Sequence, residues 1–176
     1  MLKRAAHRPP HLLLDNQHYF VTGAIYQRRP LLDAAIKDSL RASAQTLFSN
    51  AGWSLEHWVC LDNHYHLIAK SREGSAMPSL IRNLHSRSGF LILERTACQT
   101  PVWYNYWDYC LRDERDYHRH LNYLLWNPVK HGYVRDLNDW PFSSFHELLA
   151  AQGREYLVEQ FKKYPDFRKL DIDYGD

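Results

Sequence analysis

The stretch Trp53-Ser54-Leu55-Glu56-His57-Trp58-Val59-Cys60-Leu61-Asp62-Asn63-His64-Tyr65-His66-Leu67-Ile68-Ala69-Lys70 decides how the chain is read. Two runs rich in aromatic and aliphatic residues flank Asp62-Asn63, a tight-turn pair. The pattern predicts a hairpin with strands over 53–61 and 64–70. The second strand opens on His64-Tyr65-His66. Strand side chains alternate faces, so His64 and His66 share one face and Tyr65 takes the other. Two imidazoles on one face can hold a divalent metal. By itself such a pair is more often a packing feature than a ligand set.

Working outward, His18 to Tyr26 reads as a strand, ended by Arg28-Arg29-Pro30. Asp33 caps a helix to about Asn50, with Leu32, Ile36, Leu40, Ala44 and Leu47 at helical spacing. Asn50-Ala51-Gly52 is its stop signal. After Gly74 a second helix spans about 78–95, its core stripe being Leu80, Ile81, Leu84, Leu91 and Ile92. The aromatic run Val102 to Leu111 is a fourth strand. A third helix covers 113–130, with Asp113 as cap and Pro128 near its end. Two short helical pieces follow at about 144–151 and 154–163.

The order strand-helix-strand-strand-helix-strand predicts an α+β fold: a ferredoxin-like antiparallel sheet with helices on one face, plus an additional C-terminal helix. One domain is expected over 1–176: a basic arm (1–16), a core (18–130) and a C-terminal extension (131–176) ending in a loose acidic tail.

With 176 residues, 45% of them hydrophobic, the chain has the mass for a single core. A net charge of +2 is too weak by itself to point to nucleic acid. Six Trp and twelve Tyr are many for this length, and serve either an aromatic core or a stacking surface for unpaired bases. Cys60, Cys98 and Cys110 form no CxxC and are odd in number, which argues against a disulfide framework and for a reducing compartment. No apolar run has signal-peptide or transmembrane length, so a cytoplasmic protein without membrane contact is expected.

The chemistry concentrates in the third helix. His120, Tyr123 and Asn127 are spaced three and four apart and share one side. If that helix crosses the sheet beside His64 and His66, Asn127 adds a third ligand and Tyr123 stands close to the ion. A tyrosine hydroxyl, with its reference pKa of about 10, attacks phosphorus only when a base or cation lowers the cost of its anion. Tyr117 is the competing nucleophile, but no Asn follows it four residues on.

These residues resemble a known family. His64-Tyr65-His66 is similar to the His-hydrophobe-His motif of the HUH single-strand endonucleases. Tyr123-x-x-x-Asn127-Pro128-Val129-Lys130-His131-Gly132 resembles the catalytic-tyrosine segment of single-tyrosine (IS200-like) transposases. Trp140-Pro141-Phe142-Ser143-Ser144-Phe145 resembles a downstream motif of their REP-associated relatives. The resemblance spans about 18–146. It implies that His64, His66 and Asn127 hold Mg²⁺ or Mn²⁺ and that Tyr123 is the nucleophile. It further implies a transposase cutting single-stranded or hairpin DNA of repetitive palindromic elements, through a 5′-phosphotyrosine intermediate with a free 3′-hydroxyl. Both monomers and homodimers are known among such proteins.

Two positions depart from the family pattern. Leu61-Asp62 replaces a Met-Pro pair, altering the turn or adding a carboxylate near the metal. Leu125 stands where a His is frequent, leaving His120 or metal-bound water as the proton shuttle.

Lys3, Arg4 and Arg8 of the arm are candidate phosphate contacts. Arg28 and Arg29 are either a solvated turn or a DNA contact. Arg82 and Arg87 of the second helix are either a solvated face or the flank of a polyanion site. Lys130 and His131 either favour the negative helix end or grip phosphate. The alternative to an enzyme is a catalytically silent, sequence-specific DNA-hairpin-binding protein. A ferredoxin-like RNA-binding protein is a weaker reading, because its Phe-rich sheet motif is missing.

Overall fold

Four strands form one sheet: β1 (His18–Ile25), β2 (Ser54–Cys60), β3 (His64–Lys70) and β4 (Trp103–Cys110). The computed structural model describes residues 12–170 and residue 172. The sheet order is β2-β3-β1-β4, every neighbouring pair antiparallel. Helix α1 (Ala34–Asn50) connects β1 to β2, and α2 (Met77–Arg95) connects β3 to β4. This is the ferredoxin-like arrangement expected from the element order. Asp33 caps α1 by accepting from Ile36 N at 2.8 Å.

Alternation along the strands sorts the core into two layers. Tyr19, Val21, Tyr65, Leu67 and Ala69 pack against Leu40, Phe48, Met77 and Leu84 of α1 and α2. Phe20, Val59 and Ile68 face the other way, against Leu121, Leu124 and Leu125 of α3 (Glu114–Lys130) and Phe145 and Leu157 of α4 (Phe145–Lys163). The additional helix therefore covers the sheet face that α1 and α2 leave open. Leu124 and Leu125 are fully buried, each worth about 1.5–3 kcal/mol of transfer free energy.

Gly23 lets the hairpin and β1 approach. It pairs in register with Tyr65, and a Cβ there would stand 2.4 Å from the Tyr65 ring. The Tyr65 hydroxyl meets His85 Nε2 of α2 at 2.9 Å, and the His85 ring stacks on Trp103 at 4.3 Å.

The segment Trp140–Ser144 borders β2. Trp140 Nε1 donates to Cys60 O, Cys60 N to Phe142 O and Ser144 N to Trp58 O, while Val59 and Ser143 form a β-bridge. It covers the β2 edge, which leaves β4 as the other margin of the sheet. Its rings also enclose the Lys37 ammonium, 4.8 Å from Trp140 and 4.7 Å from Phe142. Lys37 donates to Asp62, so this carboxylate of the departing turn is held in an ion pair.

Helix α4 is interrupted at Gly153, which takes φ 82° and ψ 165°, giving the two expected pieces. Where it is described, the arm is tied to the fold. Leu14 N donates to Tyr19 Oη at 2.6 Å, Ser71 Oγ donates to Leu14 O, and Asp15 accepts from Gly74 N. Residues 1–11 and the acidic end at 171 and 173–176 lie outside the described residues, and so do the candidate DNA contacts Lys3, Arg4 and Arg8.

Candidate active site between the sheet and helix α3

The site forms where α3 crosses β1 and β3. Asp113 caps α3, accepting from Asp116 N at 2.8 Å. The helix then presents His120, Tyr123 and Asn127 to the sheet, all buried. His64 and His66 rise from β3 on the same face, 5.1 Å apart between ring centroids. The Tyr123 ring lies edge-on to His66 at 5.6 Å. The inferred docking of the helix beside the histidines is what the structure has.

Each imidazole is oriented by a neighbour. Asn63 Nδ2 donates to Arg28 O at 3.2 Å, which turns Asn63 Oδ1 toward His64 Nδ1 at 2.6 Å. That contact keeps the proton on Nδ1 and makes Nε2 the lone-pair nitrogen. The Thr22 hydroxyl stands 2.8 Å from His66 Nδ1. Burial is the main cause that holds both rings neutral: it lowers His64 to about 3 and His66 well below its usual value. Neutral imidazoles are the form that ligates metal.

His64 Nε2 faces Asn127 Oδ1 at 3.0 Å. These are two acceptors, while the buried Asn127 Nδ2 makes no hydrogen bond with the described residues. Turning the amide over relieves the conflict; so does a cation shared by the two acceptors. Two acceptors this close, His64 Nε2 and Asn127 Oδ1, are a donor pair that a divalent ion would satisfy. The residues present therefore fit a divalent ion. No group of three or more His, Cys, Asp or Glu fit to hold a metal occurs among the described residues, so the amide oxygen is the third donor on offer.

Lys130 Nζ donates to Tyr123 Oη at 2.7 Å and lies 4.5 Å from the ring centroid. The chain departs from helix at His131, whose ring stacks edgewise on His64 at 5.0 Å. Burial and the Lys130 charge lower His131. The competitor Tyr117 has the opposite environment: its hydroxyl donates to Glu56 Oε2 at 2.7 Å, and burial plus this carboxylate push its pKa up. An anion beside a phenol opposes phenolate, so Tyr117 is the poorer candidate.

The other candidates are spread over the molecule. His120 Nδ1 donates to Asp116 O at 2.8 Å, and its ring stacks on Tyr109 and packs against Phe20. Phe20 also touches Tyr123, at 6.1 Å. Arg28 stands near the site, where its charge acts on His64, His66 and His131. It and Gln27 adopt left-handed φ of 53° and 57°, a strained pair costing about 1–3 kcal/mol each and of a kind that clusters at functional sites. Arg29 is committed to the fold, donating to Tyr26 O, Gln99 O and Pro101 O. Arg82 and Arg87 are exposed on α2, the layer on the opposite side of the sheet, and are not brought to the site.

Sequence reading missed Asn63 and Thr22 as orienting groups and Lys130 as the partner of Tyr123. Asn63 had a signal, because it adjoins His64. Lys130 had one too, because seven residues is two helical turns and sets it on the Tyr123 face; Thr22 had none, since only strand register brings it in.

The model of the family described as "Transposase IS200 like" matches residues 14–109. The chain is 31% identical over 135 residues to the REP-associated tyrosine transposase of Escherichia coli (strain K12), covering 75% of this chain and 78% of that one. It also superposes on a REP-associated tyrosine transposase solved bound to a REP hairpin, with a TM-score of 0.64 and 24% identity over 93% of this chain and 90% of the other. No described helix is long and apolar enough to cross a membrane. The matched family model and the Escherichia coli relative together place this chain in the IS200-like transposase family, among the REP-associated tyrosine transposases.

Proposed function

We propose that this transposase cuts and rejoins single-stranded or hairpin DNA of repetitive palindromic elements, with Tyr123 as nucleophile and Mg²⁺ or Mn²⁺ bound by His64, His66 and Asn127. The observation that carries this reading is the meeting of Tyr123 Oη with the Lys130 ammonium at 2.7 Å, on a ring that touches His66.

In this mechanism Tyr123 Oη forms a bond to the scissile phosphorus as the P–O3′ bond breaks. The phenol proton leaves to water, and the departing 3′-oxygen takes up a proton to become a hydroxyl. Lys130 compensates the charge that grows on Oη before the new bond is complete. Asn63 holds His64 with Nε2 as its ligating nitrogen, and Thr22 fixes the plane of the His66 ring through Nδ1. A divalent ion bound there supplies polarisation of the phosphate and charge stabilisation at the leaving oxygen. Imidazole ligands favour Mn²⁺ over Mg²⁺ in vitro. Rejoining runs the same steps backwards, with the phosphotyrosine conserving the bond.

A silent hairpin-binding protein is the second reading, and the observation in its favour is the complete burial of Tyr123. Hairpin oligonucleotides copied from palindromic repeats beside the gene, incubated with protein and Mn²⁺, separate the two. The enzyme gives a covalent protein–DNA adduct that is lost in Tyr123→Phe and falls on the order of 100-fold in Lys130→Met, with DNA binding retained in both. Tight binding with no adduct from any of these hairpins would leave the silent binder standing.

A further inference from the structure

The aromatic richness of β4 is only partly explained by the core. Trp103, Tyr106 and Tyr109 join hydrophobic clusters of the described residues, whereas Tyr26, Tyr104 and Trp107 belong to none of them. Instead these three rings pack on one another. Tyr26 stacks with Tyr104 at 6.1 Å and 30°, and Tyr104 with Trp107 at 5.8 Å and 29°. All three residues are half-buried, so the row keeps aromatic surface in solvent. An aromatic row on one margin of a sheet is costly to leave exposed unless something covers it.

Its position indicates what covers it. Trp107 pairs in register with Thr22, whose hydroxyl touches His66. Strands lie about 4.8 Å apart, so the backbone of Trp107 runs about 10 Å from that of His66. The row is flanked by positive charge: the Arg29 guanidinium lies 6.0 Å from the Tyr26 centroid, and Arg28 acts on the histidines. Stacked rings beside cations suit a chain of unpaired nucleotides, whose bases present flat faces and whose backbone is anionic.

We propose that Tyr26, Tyr104 and Trp107 form the platform on which unpaired bases next to the cut phosphate stack. The proposal rests on the DNA-cleaving reading above and adds where the single strand runs: along the β4 margin toward His66. Stacking is tolerant of sequence, so the platform holds the strand and other contacts select it.

The test is binding without metal, in EDTA, so that it does not depend on cleavage. Fluorescence anisotropy compares a hairpin carrying a short unpaired extension with the same hairpin lacking it. Trp107→Ala and Tyr104→Ala are expected to weaken the extended hairpin by about tenfold or more each, and to leave the blunt hairpin unchanged. Trp107→Phe should restore most of the affinity. Quenching of tryptophan emission by an oligothymidylate in the parent chain, reduced in Trp107→Phe, supports the same contact without relying on the alanine variants folding. Unchanged affinity for the extended hairpin overturns the platform, as does equal loss on both hairpins. A change of oligomeric state in Trp107→Ala with DNA affinity intact would make the β4 margin a protein–protein edge. A parent chain that binds neither hairpin nor oligothymidylate removes the DNA reading itself.

Discussion

Asn63 shows how much a single amide decides in this site. Its two ends are tied in opposite senses, to Arg28 O and to His64 Nδ1, and that fixes which nitrogen of His64 carries the lone pair. Asn63→Ala should leave the fold in place and lower Mn²⁺ affinity about 10- to 100-fold, measured by calorimetry on the protein without DNA. An unchanged affinity would mean that burial alone orients the ring. His64, His66, Tyr123 and Asn127 were legible in the sequence because their spacing matches the period of a strand and of a helix. The carbonyl of Arg28 was not legible. It depends on two consecutive left-handed residues, Gln27 and Arg28, neither of which is the glycine that normally announces such a turn.

Among the elements, β3 and its neighbour β1 are joined by more than their ladder. The Tyr65 ring lies over Gly23, and its hydroxyl reaches α2 through His85. A methyl group at Gly23 has no room 2.4 Å from that ring. Gly23→Ala is therefore expected to destabilise the domain by about 1–3 kcal/mol through overpacking, read as a lowered midpoint in urea with the slope unchanged. A midpoint equal to that of the parent would show that Tyr65 moves aside freely. The boundaries of α1, α3 and β3 follow from the caps and alternation in the chain: Asp33, Asp113 and the His64-to-Lys70 run are local signals. The role of Trp140–Ser144 is not local. Its backbone pairs with residues about eighty positions earlier, and one isolated bridge leaves no periodicity to read.

For the molecule as a whole, half-buried neutral histidines link folding to pH. Burial lowers His57 to about 4 and His85 to about 3. In the unfolded chain both take up a proton near pH 6.5, and in the folded chain they do so only at those lower values. Their contribution is complete above pH 6.5 and is lost as pH falls toward 4, each at about 1.4 kcal/mol per pH unit. The urea midpoint should therefore drop between pH 7 and 5, and His85→Gln should flatten that dependence by about one proton. A midpoint independent of pH over this interval would contradict the burial of these rings. The layered fold was legible because each strand and helix carries its own pattern. Which sheet face α3 takes was an inference, and it is settled by the fit of Leu121, Leu124 and Leu125 against Phe20 and Ile68. One further consequence follows from where the histidine pair is mounted. β3 is bonded on both sides, by β1 and β2, and only its last residue is exposed. Such a strand is the last part of a domain to exchange its amide hydrogens with water, because it opens only when everything opens. The histidine pair is thus insulated from the breathing of loops and helix ends, and with the metal bound as proposed, heating should remove ion and fold in one step.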